Sequence, residues 1–290
     1  MMKIKFLVLT LLLSFFLPIL SAAAERREQP LLVYGSTTIQ PVIEAVMDDY
    51  LARTGIGLDI QGGGSTGGMQ AVRAGRADLA TVSRALSSRE QQEFASVTIG
   101  YDALAIIVNQ SNPVTRISRE ELREIYSGKR STWGYGVVPD DKIVLISKQR
   151  GRGTLNIFEN YVGLVSPIPN EQRADIENLI APHAWESGAN LDVILWAGGL
   201  PAAIGFVSMG DADRFISAGV PLRKLIIDGV KPDLGNIRGG EYPLRRELNL
   251  LFRPDNERAR NFAEYMLTAP AQQQFEVLNL VPALSVEGGV

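Results

Sequence analysis

Leu31-Leu32-Val33-Tyr34-Gly35-Ser36-Thr37-Thr38-Ile39-Gln40-Pro41 joins a β-rich apolar run to a glycine, three consecutive hydroxyls and a proline suited to the first turn of a helix. Beyond it, Val42, Ile43, Val46, Tyr50 and Leu51 recur on one helical face. Strand, hydroxyl loop, helix is the unit of open α/β sheets, whose ligands bind in loops at the carboxyl ends of strands. The unit repeats along the chain. Strands are expected at 31–34, 78–83, 103–108, 143–147, 204–208, 224–228 and 248–252, largely parallel, with helices between them. Ser118 with Glu121 reads as a capping box and Gly128 as the stop of that helix; Asp255 is expected to cap another, and Pro270 to restart it.

Three loops and one strand end carry the candidate chemistry. In the first loop, Ser36, Thr37 and Thr38 offer hydroxyls beside unpaired first-turn N–H groups, a setting for an anion. A plain N-cap by Thr37 or Thr38 accounts for the same residues. The second, Gly62-Gly63-Gly64-Ser65-Thr66-Gly67-Gly68, spends five glycines before a short helix ending near Gly75. That entropic cost points to a backbone approached closely by something, although a mobile surface loop has the same composition. No Lys-Ser or Lys-Thr pair follows, so it is not a nucleotide-hydrolysing P-loop. The third, Lys148-Gln149-Arg150-Gly151-Arg152-Gly153-Thr154, gathers three cations at a predicted helix N-terminus. The helix dipole disfavours them there unless an anion offsets them; a solvated basic loop is the alternative. Ser83-Arg84 ends the strand 78–83, and Arg84 either presents a planar fork to an oxyanion or pairs with Glu90 or Asp78.

Composition narrows the function. The 290 residues carry 29 Lys and Arg against 32 Asp and Glu, a net charge of -3, so no whole-protein basic field draws nucleic acid or an anionic membrane. Any anion must be captured locally. The absence of cysteine excludes disulfides, thiolate nucleophiles, zinc-thiolate sites and iron-sulfur clusters. His183 alone cannot build a multi-histidine metal site, which leaves only a carboxylate magnesium or calcium site open; no metal or cofactor is expected. Lys3 and Lys5 precede an apolar run over 6–20, shorter than the roughly 20 residues of a membrane span, broken by Pro18 and ending in Ala22-Ala23-Ala24. Residues 1–24 therefore read as a signal peptide cleaved between Ala24 and Glu25, with a retained anchor helix as the alternative; no cysteine follows to take a lipid.

These pieces resemble the phosphate-binding proteins of bacterial phosphate ABC transporters, members of the two-lobed periplasmic binding protein superfamily. The resemblance rests on Gly35-Ser36-Thr37-Thr38-Ile39-Gln40-Pro41, Gly62-Gly63-Gly64-Ser65, Asp78-Leu79-Ala80-Thr81-Val82-Ser83-Arg84 and Gly151-x-Gly153-Thr154 with Phe158. It extends through the runs 101–109, 203–208 and 241–244. It implies an α/β fold of type II, two mostly parallel sheets flanked by helices, with the ligand cleft between lobes. Lobe one would comprise 25–104 and 242–290, and lobe two 105–241. The implied phosphate contacts are Ser36, Thr37, Thr38, Ser65, Ser83, Arg84, Lys148, Arg150, Gly151, Arg152, Gly153 and Thr154.

The implied role is a periplasmic, monomeric binding protein that is not an enzyme and delivers inorganic phosphate to membrane permease subunits of an ABC importer. Departures from the family pattern are Lys148 and Gln149, where it usually carries Arg and an acid, Arg152 between the two glycines, where it has Ser, and Arg84, where many relatives have Asp. They make the pocket more positive. Another oxyanion, or a phosphate-sensing or surface role uncoupled from transport, is the second reading. A secreted phosphatase or other hydrolase is the remote one, since Ser36, Ser65 and Thr154 lack a sequence-evident base. Arg26-Arg27 and Arg245-Arg246 read most simply as solvated charges.

Overall fold

The computed structural model describes residues 29–134, 142–168 and 178–284; the signal peptide expected at 1–24 lies outside them. The first part of the chain runs β1 (Leu31–Gly35), α1 (Gln40–Thr54), β2 (Leu58–Gly62), α2 (Ser65–Arg73), β3 (Leu79–Val82), α3 (Ser88–Glu93) and β4 (Ala95–Asn109). There follow β5 (Arg116–Ile117), α4 (Arg119–Tyr126), β6 (Val144–Lys148), α5 (Gly153–Val162), β7 (Trp185–Ser187), α6 (Asn190–Gly199), β8 (Ala203–Ser208) and α7 (Met209–Ser217). The remainder is β9 (Leu222–Lys224), β10 (Ile226–Ile227), α8 (Leu234–Gly239), β11 (Arg245–Phe252), α9 (Glu257–Tyr265), α10 (Ala269–Val277) and β12 (Val281–Pro282).

The sheet order is β2-β1-β3-β11-β4-β8-β6-β7, with β9 and β12 also on β4. Its flanks are parallel, β1 with β2 and β3, and β6 with β7 and β8. The centre is antiparallel, because β4 and β11 run against each other and against their outer neighbours β8 and β3. β4 alone joins the halves: residues 95–103 pair with β11 and residues 104–108 with β8. The expected strand at 103–108 was only the second half of it, since Ser96, Thr98, Gly100 and Asp102 interrupt the apolar signal earlier. β2 was missed because it lies at a sheet edge with little buried apolar surface.

Strand alternation divides the first core between two faces. β3 gives Leu79 to one cluster and Ala80 to the other, and β11 likewise gives Leu250 and Leu251. Helices α1, α9 and α10 cover the first face with Val46, Phe262 and Phe275, and α2 covers the second with Met69 and Val72. A separate cluster gathers Ile106, Phe158, Val193 and Phe206. There the Phe158 and Phe206 rings stack at 4.0 Å with Tyr126 edge-on to Phe158 at 4.5 Å, and the Tyr126 hydroxyl donates to the Ile146 carbonyl at 3.0 Å.

Side-chain caps are present at some helices and absent at others. Ser118 and Glu121 form the expected capping box, but α9 is capped by Asn256, not Asp255: Asn256 accepts from the Ala259 N–H at 3.1 Å, while Asp255 sits one residue too early and faces Arg253. α1, α2 and α5 have Ile39, Gly64 and Arg152 at their N-caps and no side-chain cap. These three follow the three loops; α6, α7 and α10 likewise have no side-chain cap.

Candidate functional site

The three loops meet. The Ser36 N–H donates to the Thr81 carbonyl, and the Gly63 and Gly64 N–H groups both donate to the Gly35 carbonyl, at 2.8 to 2.9 Å. This binds the first two loops to β3. Gly35 has φ +146°, and a Cβ there would stand 2.3 Å from the Thr81 carbonyl oxygen, so the close approach requires glycine. The third loop comes from across the molecule: the Thr66 N–H donates to the Gly151 carbonyl at 3.1 Å. A Cβ on Gly153 would lie 2.7 Å from Ser65 Oγ and 2.9 Å from both the carbonyl oxygen and Oγ of Ser83.

The hydroxyls of this junction are buried, and their hydrogen bonds use acceptors before donors. Ser36 Oγ accepts from the Thr38 N–H at 3.2 Å and donates to Ser83 Oγ at 2.8 Å; Ser65 Oγ accepts from the Ser83 N–H at 3.2 Å. Arg246 lies over Thr38 and Thr154, donating from one Nη to Thr154 Oγ1 at 2.9 Å and from the other to Thr38 Oγ1 at 3.0 Å. A hydroxyl whose oxygen is taken by an N–H or guanidinium still has its own proton to give. Ser65, Ser83, Thr38 and Thr154 are thereby set as donors toward an acceptor-rich partner.

Arg246 is the residue that sequence reasoning missed. It is not solvated: its side chain and that of Asp102 are both fully buried and joined at 2.6 Å. They face each other across the β11–β4 ladder, where the chain passes from one half of the sheet to the other. Asp102 uses Oδ2 twice, toward Nε and Nη of Arg246, while its Oδ1 is buried without a donor. Alternation carried a signal, since Arg246, Leu248 and Leu250 share the buried face of β11 and Arg245 the other. The partner Asp102, distant in sequence, gave none.

The other predicted residues separate. Arg84 does not reach the loops: Glu90 holds its guanidinium at 2.7 and 2.9 Å, the Ala85 carbonyl takes a further bond, and the Arg84 hydrogen bond holds the Glu90 carboxyl at about 2. The ion-pair alternative is the one observed. Arg150 is exposed at the loop tip. Thr37 is half-buried with its methyl toward Gly62. Arg152 lies between Gly64 and Gly188, both without a side chain where it passes. Lys148 is buried, its Nζ donating to the Ala189 carbonyl at 2.6 Å. Burial, then the Arg152 charge, bring its ammonium down to about 7 against the opposing pull of Asp211.

Asn190, at the start of α6, donates to Asp211 at 2.6 Å and lies 3.5 Å from Thr38 Oγ1; burial pushes the Asp211 carboxyl up. His183 packs beside Gly128 at the end of α4, so no imidazole stands near the serines as a base. A separate groove of about 540 Å³, lined by residues such as Pro113, Ile117, Ile125 and Trp133, shares no residue with the loops.

Residues 21–270 match the PBP superfamily domain. A phosphate-binding protein PstS of Staphylococcus aureus is 31% identical over 159 residues, 51% of this chain and 48% of that protein, so the chain spans about half the length of the curated relatives it matches. Among solved structures, a phosphate ABC transporter substrate-binding protein of Clostridium perfringens with bound phosphate superposes with a TM-score of 0.76 at 24% identity, covering 88% of this chain and all of that one. An ABC-type phosphate transport receptor of Vibrio cholerae gives 0.69 at 27% identity, over 87% and 99% of the two chains.

Proposed function

The chain belongs to the PBP superfamily, and from that premise we propose that it captures inorganic phosphate in a cleft between two lobes and passes it to the permease of an ABC importer. The observation that carries this is the convergence of four hydroxyl donors at the starts of α1, α2 and α5, none of which has a side-chain cap, under one buried arginine. A tetrahedral oxyanion has acceptors for all of them and a charge to set against Arg246, Arg152 and Lys148. The relatives named as phosphate-binding proteins support phosphate as the anion.

The separate cores support a division into two lobes. One holds the clusters of residues up to Ile99 and from Leu248 to Leu280, the other the cluster from Ala103 to Leu244, which Val281 of β12 also joins, and the chain crosses at β4 and at the start of β11. Arg246 sits on that crossing and reaches Thr38 in one lobe and Thr154 in the other, so it bonds both only when the lobes are closed. Capture is read as binding without turnover, in keeping with the sole histidine, His183, lying beside Gly128 and away from Ser36, Ser65 and Thr154. Work outside the cytoplasm accords with the signal-like residues 1–24, and no helix among the described residues is long and apolar enough to cross a membrane.

Thermal unfolding of ligand-stripped protein against phosphate, arsenate, sulfate and a phosphonate tests the proposal. One anion at about a thousand times its dissociation constant adds about 4 kcal/mol, a shift of several degrees at this size. A shift selective for phosphate and arsenate is expected. No shift with any of the four would overturn the reading.

A further inference from the structure

We propose that Lys148 couples anion capture to proton uptake, so that binding at the loops is proton-linked in neutral and alkaline solution. The inference rests on the reading that these loops hold an oxyanion. Lys148 is the last residue of β6, and its side chain runs inward to 2% exposure. An ammonium has three N–H groups to satisfy, and the Ala189 carbonyl answers one of them.

The charged groups around it come from four elements: Arg152 at the start of α5, Arg246 on β11, Asp192 in the first turn of α6 and Asp211 in the first turn of α7. Both carboxylates are already engaged. Asp211 is bound by Asn190 at 2.6 Å and Arg214 at 2.7 Å, and Asp192 accepts from Ser187 Oγ at 2.9 Å. Arg246 is matched by Asp102, but Arg152 has no salt-bridge partner among the described residues.

A buried ammonium beside two guanidinium groups, with one neutral acceptor, is held near the point of losing its proton. Its value near 7 agrees with that geometry. An oxyanion seated against Thr154 and Arg152 reverses the balance, because its negative charge offsets the Arg152 charge that opposes the ammonium. The charged form is then favoured, and binding above neutrality draws a proton from solution. An arginine in this position stays charged in both states and would take up none.

The test is calorimetric titration of the full chain with inorganic phosphate at several values between about pH 6 and pH 9, in buffers of different ionisation heat, beside Lys148→Arg. The anion's own protonation is common to both proteins. Near pH 8 the wild type is expected to take up as much as one more proton per phosphate than Lys148→Arg, and its affinity to fall more steeply with pH, by up to about tenfold per unit. Equal proton counts and equal slopes would overturn the inference and leave the site reading standing. Absence of phosphate binding to the wild type would remove the site reading and the inference with it. Nitrogen-detected NMR of labelled lysine in the wild type gives the same answer if the variant fails to fold: the Lys148 signal should titrate near neutrality without phosphate and at higher pH with it, and an unmoved titration would refute the coupling.

Discussion

Replacing Arg246 by methionine removes a guanidinium that makes two hydrogen bonds to Asp102 and one each to Thr38 and Thr154. Removing one member of a buried ion pair costs about 3 to 5 kcal/mol, because the other charge stays behind without water or partner. Against a total stability of about 5 to 15 kcal/mol this is large, and the melting temperature should fall on the order of 10 °C. Binding should suffer for a separate reason. With the guanidinium gone, the hydroxyls of Thr38 and Thr154 are no longer oriented, and a charge-assisted bond worth about 1.5 to 3 kcal/mol is lost, a loss of about tenfold or more in phosphate affinity.

The two effects can be parted. In Arg246→Met with Asp102→Leu neither charge of the pair remains, so urea unfolding should recover most of the lost stability, while calorimetry should still find the weakened binding. A well-folded double variant with phosphate affinity within about twofold of wild type would refute the assignment of Arg246 to the site and leave it a strut between strands.

Arg84→Ala should leave phosphate affinity within about twofold of wild type, because Glu90 already holds that side chain; a tenfold loss by calorimetry would return Arg84 to the site. The same pair should show in acid. Glu90 sits at about 2 in the folded protein against an ordinary 4.5, so its contribution is complete above about 4.5 and lost as pH falls toward 2. Urea midpoints between those values should therefore fall less steeply in Arg84→Ala than in wild type. Gly153→Ala places a methyl 2.7 Å from Ser65 Oγ, so it should hold the loops apart and weaken phosphate binding at least tenfold with little change in the urea midpoint. Phe206→Ala empties one side of the Phe158 stack and should cost about 3 to 5 kcal/mol in urea unfolding, with affinity retained at temperatures where the variant is folded.

Which of these residues could be read in advance follows from how many jobs each residue type can do. Gly35, Gly64 and Gly153 were legible because runs of glycine beside hydroxyls have few uses, and the structure finds each within 3 Å of what a side chain would strike. Ser118 with Glu121 was legible for the same reason, being a local pattern that closes on itself. Arginine has many uses: the ion-pair alternative for Arg84 is the one the structure holds, and Arg246, expected to be solvated, is buried. Arg84 ends a buried strand beside a hydroxyl, which looks like a site, yet Glu90 lies six residues on and takes it. Arg246 follows another arginine and looks like surface, yet strand alternation turns it inward and register places it opposite Asp102, 144 residues away. No local pattern encodes that register. It arises from the antiparallel pairing of β4 and β11 at the centre of the sheet.

That placement has a mechanical consequence. Ser36, Ser65 and Ser83 bond one another within a single lobe, so they can be set before any ligand arrives. Thr154 stands apart, belonging to the helix that brings the other lobe, and its bond to Arg246 spans the cleft together with the bond from Thr66 to Gly151. Two neutral or singly charged contacts are a small gain against the desolvation of Arg152, Lys148 and the start of α5 as the cleft shuts. Closure without an anion therefore gathers positive charge with little to offset it. On the proposed function, closure with one converts the same cations from a cost into partners, which would tie the shut form to occupancy, with Arg246 on β11 as the point from which both lobes are held.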